Sequence, residues 1–251
     1  VERSAVLVGM YPAAISSGEV VSQPGLAPLV SQDFDTERYH AAALGSGWHL
    51  FSIWEWAFVA LWCMANGYQP TGNTNHGRSH ANTWETAARQ DGGVPGDSGG
   101  VGNTLTGYGP NAWNHNNGAN GIADLVGNVW ERLDLMKMVA GRIYLAADNE
   151  PGLAEAGWSD TGWDMGGNST WSSSDNTGAP DSVKRSLIVP NGALDPAGNL
   201  YTNLTGERFP LRGGNRNNAG AAGLAALYLS NPRSNANSNI GFRLALLCRP
   251  E

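Results

Sequence analysis

Apolar and polar positions follow one another along this chain in short runs. Ala5 to Tyr11 reads as a strand, and residues 5–30 interleave apolar pieces with Gly and Pro, the pattern of strands joined by turns. Phe34 to Leu44 predicts a helix. Asp33 or Asp35 can cap its start by accepting from free amides, and Gly45 can end it. The clearest helix follows Gly47-Trp48-His49-Leu50. Ser52-Ile53-Trp54-Glu55 has the form of a capping box, in which the hydroxyl and the carboxylate each accept from the other residue's amide. That helix runs to about Asn66-Gly67. It is apolar nearly all round, so it is expected to be buried.

Residues 67–121 are rich in Gly, Asn and Thr, with Trp84, Tyr108 and Trp113 spaced among them. A stretch this long without regular structure is expected to be ordered over the core by those aromatics. Residues 124–147 return to apolar content and predict strands, residues 148–200 are loop-rich, and Gly241 to Leu247 reads as a buried strand. No repeat of fixed period is present.

Composition narrows the classes. The chain has 251 residues, 41% of them hydrophobic, enough for one well-filled core and read as a single domain, 1–251. A charged fraction of 15% hints at disorder, but ten Trp and 34 Gly point instead to ordered loops around buried aromatics. The net charge of −7 gives no general attraction to nucleic acid or anionic membrane. Trp54 to Ala65 is too short to span a bilayer and contains Glu55, so no membrane insertion is expected. The chain begins inside a strand with no initiator Met and no signal peptide, and is expected to be the C-terminal part of a longer protein. Cys63 and Cys248 are read as two buried thiols, a disulfide between them being the alternative.

Three segments carry a family resemblance, in order. Gly45-Ser46-Gly47-Trp48-His49-Leu50 with Trp54-Glu55-Trp56-Ala57 resembles the helix entry of formylglycine-generating-enzyme-like domains. Gly121-Ile122-Ala123-Asp124-Leu125-Val126-Gly127-Asn128-Val129-Trp130-Glu131 is similar to that family's "G-L-x-D-M-x-G-N-V-W-E-W" signature, with Arg132 in place of the final Trp. Leu211-Arg212-Gly213-Gly214-Asn215, Pro232-Arg233 and Asn239-Ile240-Gly241-Phe242-Arg243 resemble its "R-G-G-S-W … R … G-F-R" ending. The resemblance implies an α+β, C-type-lectin-like fold of the formylglycine-generating-enzyme subtype, loop-rich and with little regular secondary structure.

Fold does not settle function. The family's oxidases hold copper on a cysteine pair between the last two motifs, because Cu(I) takes soft thiolates. Between Arg212 and Phe242 this chain has no Cys and no His, so the oxidase stands as an alternative without its ligands. The interval instead resembles the variable segment, about 212–240, of proteins diversified by retroelements. There, randomised adenines in Asn codons yield Arg, Tyr, Ser and Ala. Asn, Ser, Tyr and Arg are also paratope chemistry, adaptable hydrogen bonding beside large contacts of low entropic cost. Asn215, Arg216, Asn217, Asn218, Ala221, Tyr228, Ser230 and Asn231 are therefore the candidate ligand-binding residues. Asn235 to Asn239 are read as shaping the turn into the last strand, and Arg212, Arg233 and Arg243 as scaffold. The expected partner is a protein or glycan on a cell surface, met by a phage tail or a bacterial surface protein.

Other chemistry is weaker. By the same resemblance Asp124, Gly127, Val129 and Glu131 could hold a structural calcium, through two carboxylates and two carbonyls; the alternative is that Glu131 pairs with an arginine. No other cofactor is required, and a calcium-dependent glycan-binding lectin is a further alternative. Gly96-Asp97-Ser98-Gly99-Gly100 copies a serine-protease nucleophile motif but lacks its partners, and is read as a tight turn. His76 and His80 are four apart with Gly77 and Ser79 between, which argues against a helical zinc pair. Asn168-Ser169-Thr170 and Asn203-Leu204-Thr205 match glycosylation sequons.

Overall fold

Ser52 sets the start of the longest helix as its sequence predicts. Its backbone is extended, its hydroxyl accepts from the Glu55 amide at 3.2 Å, and Glu55 Oε2 accepts from the Ser52 amide at 3.0 Å. The same carboxylate holds the buried His49 ring at 2.8 Å, while His49 Nδ1 lies 2.8 Å from the Gly47 carbonyl. The computed structural model describes residues 5–171, 173–189 and 197–248.

The elements in chain order are β1 Ala5–Val8, β2 Ala14–Ser16, β3 Glu19–Val21, α1 Phe34–Ala42, β4 Trp48–Leu50, α2 Ile53–Ala65, β5 Trp130–Arg132, β6 Met136–Val139, β7 Arg142–Leu145, β8 Ser159–Asp164, β9 Ser169–Thr170, α3 Asp181–Arg185, β10 Asn199–Thr202, β11 Glu207–Arg208, β12 Leu211–Gly213, β13 Gly223–Leu229, β14 Ile240–Phe242 and β15 Leu244–Cys248. This is a mixed α/β architecture of short strands and long loops. Sheets run β1-β15-β4, β14-β5-β12-β13-β10-β9 and β11-β6-β7-β8, with β2-β3 a separate hairpin. In the six-stranded sheet β14 pairs with β5, and β10 with β13, in parallel. Asp33, not Asp35, caps α1, accepting from the Thr36 amide at 2.8 Å. The predicted last strand is two strands, broken at Arg243.

α2 corrects the expectation of burial all round. Ile53, Trp56, Ala57, Ala60 and Cys63 enter the main core, but Phe58 is 71% exposed and Trp62 38%. The helix packs one face against the sheets and leaves the other uncovered. Cys63 and Cys248 are not bridged to each other.

Residues 67–121 also depart from expectation. Trp113 is buried, but Trp84 is 77% exposed and Tyr108 53%, so these two aromatics do not pin the segment. Buried polar groups do. Asn128 Oδ1 accepts from the Thr104 amide at 2.8 Å and Asn128 Nδ2 donates to the Thr104 carbonyl. Asn73 Oδ1 accepts from the Gly77 amide at 2.6 Å and Asn73 Nδ2 donates to the Gly102 carbonyl. The Gly96–Gly100 turn wraps Arg89, whose guanidinium donates to the carbonyls of Val94, Asp97 and Gly99 and to the Asp91 carboxylate. Side chains here supply what a helix or ladder would supply elsewhere.

Two buried arginines tie the motif segments together. Arg243 pairs both nitrogens of its fork with Glu131 and donates to the carbonyls of Gly9 and Ala123. Arg212 donates to the carbonyls of Ala225, Ser186 and Leu187. Where these segments meet, backbones touch: a Cβ on Gly213, held at φ +86°, would sit 2.3 Å from the Leu125 carbonyl oxygen. Only glycine fits there.

The buried ion pairs set two stability outcomes. Arg243→Met leaves Glu131 buried and unpaired, and should lower unfolding free energy in urea by roughly 3–5 kcal/mol, with Arg243→Met/Glu131→Met less destabilised than the single variant. Burial works against a charged His49, but its bonds to Glu55 outweigh that and hold its pKa above the ordinary value. This contribution is complete below pH 6.5, the ordinary value, and is lost as pH rises through the folded-state pKa. His49→Gln should remove that part of the pH dependence in urea titrations from about pH 5 to 9; an unchanged profile would refute the assignment.

Candidate binding surface

The segment after β12 leaves the sheet, makes a compact loop, returns as β13, and leaves again before β14. Gly213 and Gly214 turn the chain out at φ +86° and +88°. Asn215 and Asn218 then lock the loop: the Asn215 amide donates to Asn218 Oδ1 at 2.8 Å, and Asn215 Oδ1 accepts from the Asn217 amide at 3.0 Å. Asn215 is 3% exposed. Its expected display is corrected, because its side chain is the inside of the turn. Arg216 is clamped through its backbone, donating its amide to the Asn128 carbonyl and accepting from the His76 amide. Asn217 is exposed, and Asn218 and Ala221 are at or near the surface.

β13 itself belongs to the core. Leu224, Ala225, Ala226, Leu227 and Leu229 are buried, and a Cβ on Gly223 would sit 2.1 Å from the Ala197 carbonyl oxygen. Tyr228 is half-buried on the opposite face to Leu227 and Leu229. It meets Trp130 at 5.5 Å and Tyr201 at 5.4 Å between ring centroids. Ser230 is half-buried, and Asn231 Oδ1 accepts from Asn235 Nδ2 at 3.0 Å. Arg233 is scaffold as read: it pairs with Asp35 and Glu155 and lies over the rings of Phe34 and Phe209. Sequence reasoning missed Tyr201, which reaches Tyr228 through the parallel β10–β13 pairing, and the outward-facing Ser234, Asn237 and Ser238.

The candidates thus divide between the two ends of β13. Six steps of extended chain lead from Ala222 to Tyr228, about 20 Å. The 235–239 loop runs between the two patches. Its Ser238 carbonyl accepts from Arg216 and from Asn103, and its Asn239 carbonyl accepts from the Trp130 amide beneath the tyrosines. A standard interface is roughly 30 Å across, so one partner can cover both ends.

The proposed calcium ligands do not fit a cation. Both oxygens of Glu131 are taken by the Arg243 guanidinium, which already supplies the positive charge. Asp124 Oδ2 accepts from the Gly107 amide at 2.7 Å, and burial raises its pKa to about 6, opposed by that bond and by Arg243. The Gly127 amide bonds the Gly213 carbonyl, and the Val129 side chain is buried beside Gly241. Among the described residues no three His, Cys, Asp or Glu side chains converge. His80 bonds Thr74 Oγ1 through Nδ1, whereas the His76 ring lies against Gly102, so the two do not form a pair. Cys63 donates to the His115 carbonyl, and burial pushes its thiol up to about 11, which keeps it protonated. Of the sequon asparagines, Asn168 accepts from the Thr202 amide and Asn203 from the Thr205 amide.

No known protein family's profile matches the chain, and no curated protein sequence matches it. Among solved structures it is similar to one titled "Major Tropism Determinant I1 Variant", at 16% identity and a TM-score of 0.42. The match covers 96% of this chain and 50% of the other, so the chain spans about half that protein's length. At that degree of likeness, function has to be read from this chain's own residues.

Because both Glu131 oxygens are held by Arg243, millimolar calcium and EDTA should give the same melting temperature. A calcium-dependent rise of several degrees would overturn the arginine-for-cation reading.

Proposed function

We propose that this chain is a non-catalytic binding protein: a C-type-lectin-like scaffold of the formylglycine-generating-enzyme subtype that presents a diversified surface from residues 212–240. The observation that carries the reading is a division of labour inside that one segment. Arg212 and β13 are buried and fix the sheet, while Arg216, Asn217, Ala221, Tyr228, Ser230 and Asn231 lie at or near the surface on either side of it. Residues that hold the fold and residues that can meet a partner are therefore different residues, which is what a variable surface requires.

Two adjustments refine the surface. Asn215 and Asn218 are turn formers. Tyr228 serves as one wall of an aromatic cluster with Tyr201 over Trp130, offering large contact area at low entropic cost. The ligand is a protein or glycan of a cell surface, and the setting a phage tail or a bacterial surface. The oxidase alternative lacks Cys and His between Arg212 and Phe242, and the buried Cys63 stays a thiol. The calcium-lectin alternative finds Glu131 already paired.

The test has a protein arm and a gene arm. Replacing Asn217, Ser230, Ser234 and Asn237 together with a Tyr/Asp mixture should move the melting temperature by no more than about 3 °C, whereas Ala226→Tyr in β13 should lower it by roughly 4 °C or more. The source genome should hold a near-copy of the stretch coding for residues 212–240 that differs at adenines. Unfolding of the surface set refutes display, and absence of the near-copy refutes diversification.

A further inference from the structure

Arg216 is a half-buried guanidinium with very little to bind. Its stem lies over Gly102: a Cβ placed there would come within 3.2 Å of Arg216 Cδ. Its one side-chain hydrogen bond among the described residues is from Nη1 to the Ser238 carbonyl, at 3.4 Å. No carboxylate lies within ion-pair distance of it among the described residues. Asp91, the nearby acid, is taken by Arg89 and by the amides of Gly93, Val101 and Gly102. The other surface arginine of the display segment, Arg233, has acidic partners. The His76 ring packs against the same glycine, and its Nδ1 is buried with no hydrogen-bond partner. Burial, then the charges of Arg216 and Arg89, lower the His76 pKa and keep that ring neutral. A desolvated charge left unpaired costs stability, so the free chain holds here an interaction that only a partner completes.

We propose that Arg216, with the His76 ring beside it, receives a carboxylate of a protein ligand. The inference rests on the display reading and names the ligand chemistry for one of its patches. A planar fork with free N–H groups matches a carboxylate in two parallel hydrogen bonds. In a chain of net charge −7, this patch is locally positive, and an acidic group gains there what the surface elsewhere denies it. The aromatic cluster of Trp130, Tyr201 and Tyr228 beyond the 235–239 loop favours a protein over a single sugar, since a ligand that meets Arg216 and also covers those rings needs more area than one sugar offers.

The test follows the backbone amide signals of residues 76 and 216 of the ¹⁵N-labelled chain, both held in the loop that carries the Arg216 side chain, with the amide of residue 208 as internal control. The probes are N-acetyl-aspartate methylamide, its asparagine counterpart and glucuronate. The aspartyl probe should shift Arg216 saturably and bind at least about fivefold more tightly than the asparaginyl one, and the difference should shrink between about 0.05 and 0.5 M NaCl. Arg216→Gln should abolish the response while leaving the melting temperature unchanged or raised, and Arg216→Lys should restore part of it. Equal response to both amides, or a response at Arg208 as large, overturns the proposal. Loss of fold in Arg216→Gln makes Arg216 structural and also overturns it. Tighter binding of glucuronate than of the aspartyl probe overturns the protein assignment. If these titrations fail while the surface-substituted chain still folds, display stands and only the carboxylate is wrong.

Discussion

The structure depends on the buried pair of Arg243 and Glu131. Both side chains are shut off from water, and the guanidinium uses its remaining donors on the carbonyls of Gly9 and Ala123. One side chain thus joins the end of β1, the loop before β5, β5 itself and the break between β14 and β15. A chain with this little helix and ladder has many carbonyls to satisfy inside, and each left unpaired would cost about as much as a lost hydrogen bond. Arginine suits the task because its fork reaches several acceptors in fixed directions. Arg212 and Arg89 repeat the solution, one inside the six-stranded sheet and the other inside the 89–102 loop. Where a cation might have gathered carboxylate and carbonyl oxygens, a guanidinium gathers them.

That choice explains how the segment after β12 can be both anchored and free. The loop from Gly214 to Ala222 is fixed largely by backbone bonds to Asn128, His76 and Thr74, so most of its side chains can change without moving it. The two asparagines that do shape it, Asn215 and Asn218, bond to backbone amides of the same turn. Variation at Arg216 or Asn217 alters the surface without touching the frame.

Local signals were legible in the sequence, and non-local ones were not. The Ser52 capping box and the α1 cap, open between Asp33 and Asp35 and taken by Asp33, are set by residues three apart, and both formed. The arginines of the R-G-G and G-F-R segments were read as scaffold, and they are. Pairing in parallel between β5 and β14, and between β10 and β13, joins residues far apart in sequence, and no pattern within either strand announces it. Tyr201 was missed for that reason. Trp84 and Phe58 misled because apolar character was taken for burial, and the rule runs reliably the other way, from buried polar groups to function or structure. Asn73 and Asn103 were passed over as loop composition and Asn128 was quoted only as part of a motif, yet all three order the segment those aromatics were expected to order.

The small residues of β13 set the limit on where this surface can change. Gly223 lies under the Ala197 carbonyl, and Ala225 and Ala226 fill space with no room for a longer side chain. A larger residue at any of these positions would push the sheet apart, so the positions that tolerate change lie in the loops at either end and at the outward ring of Tyr228. The surface is therefore divided by its own support into a polar, locally positive end and an aromatic end. A partner that engages both must be broad enough to bridge the strand, and its affinity should depend on holding both ends together more than on either alone.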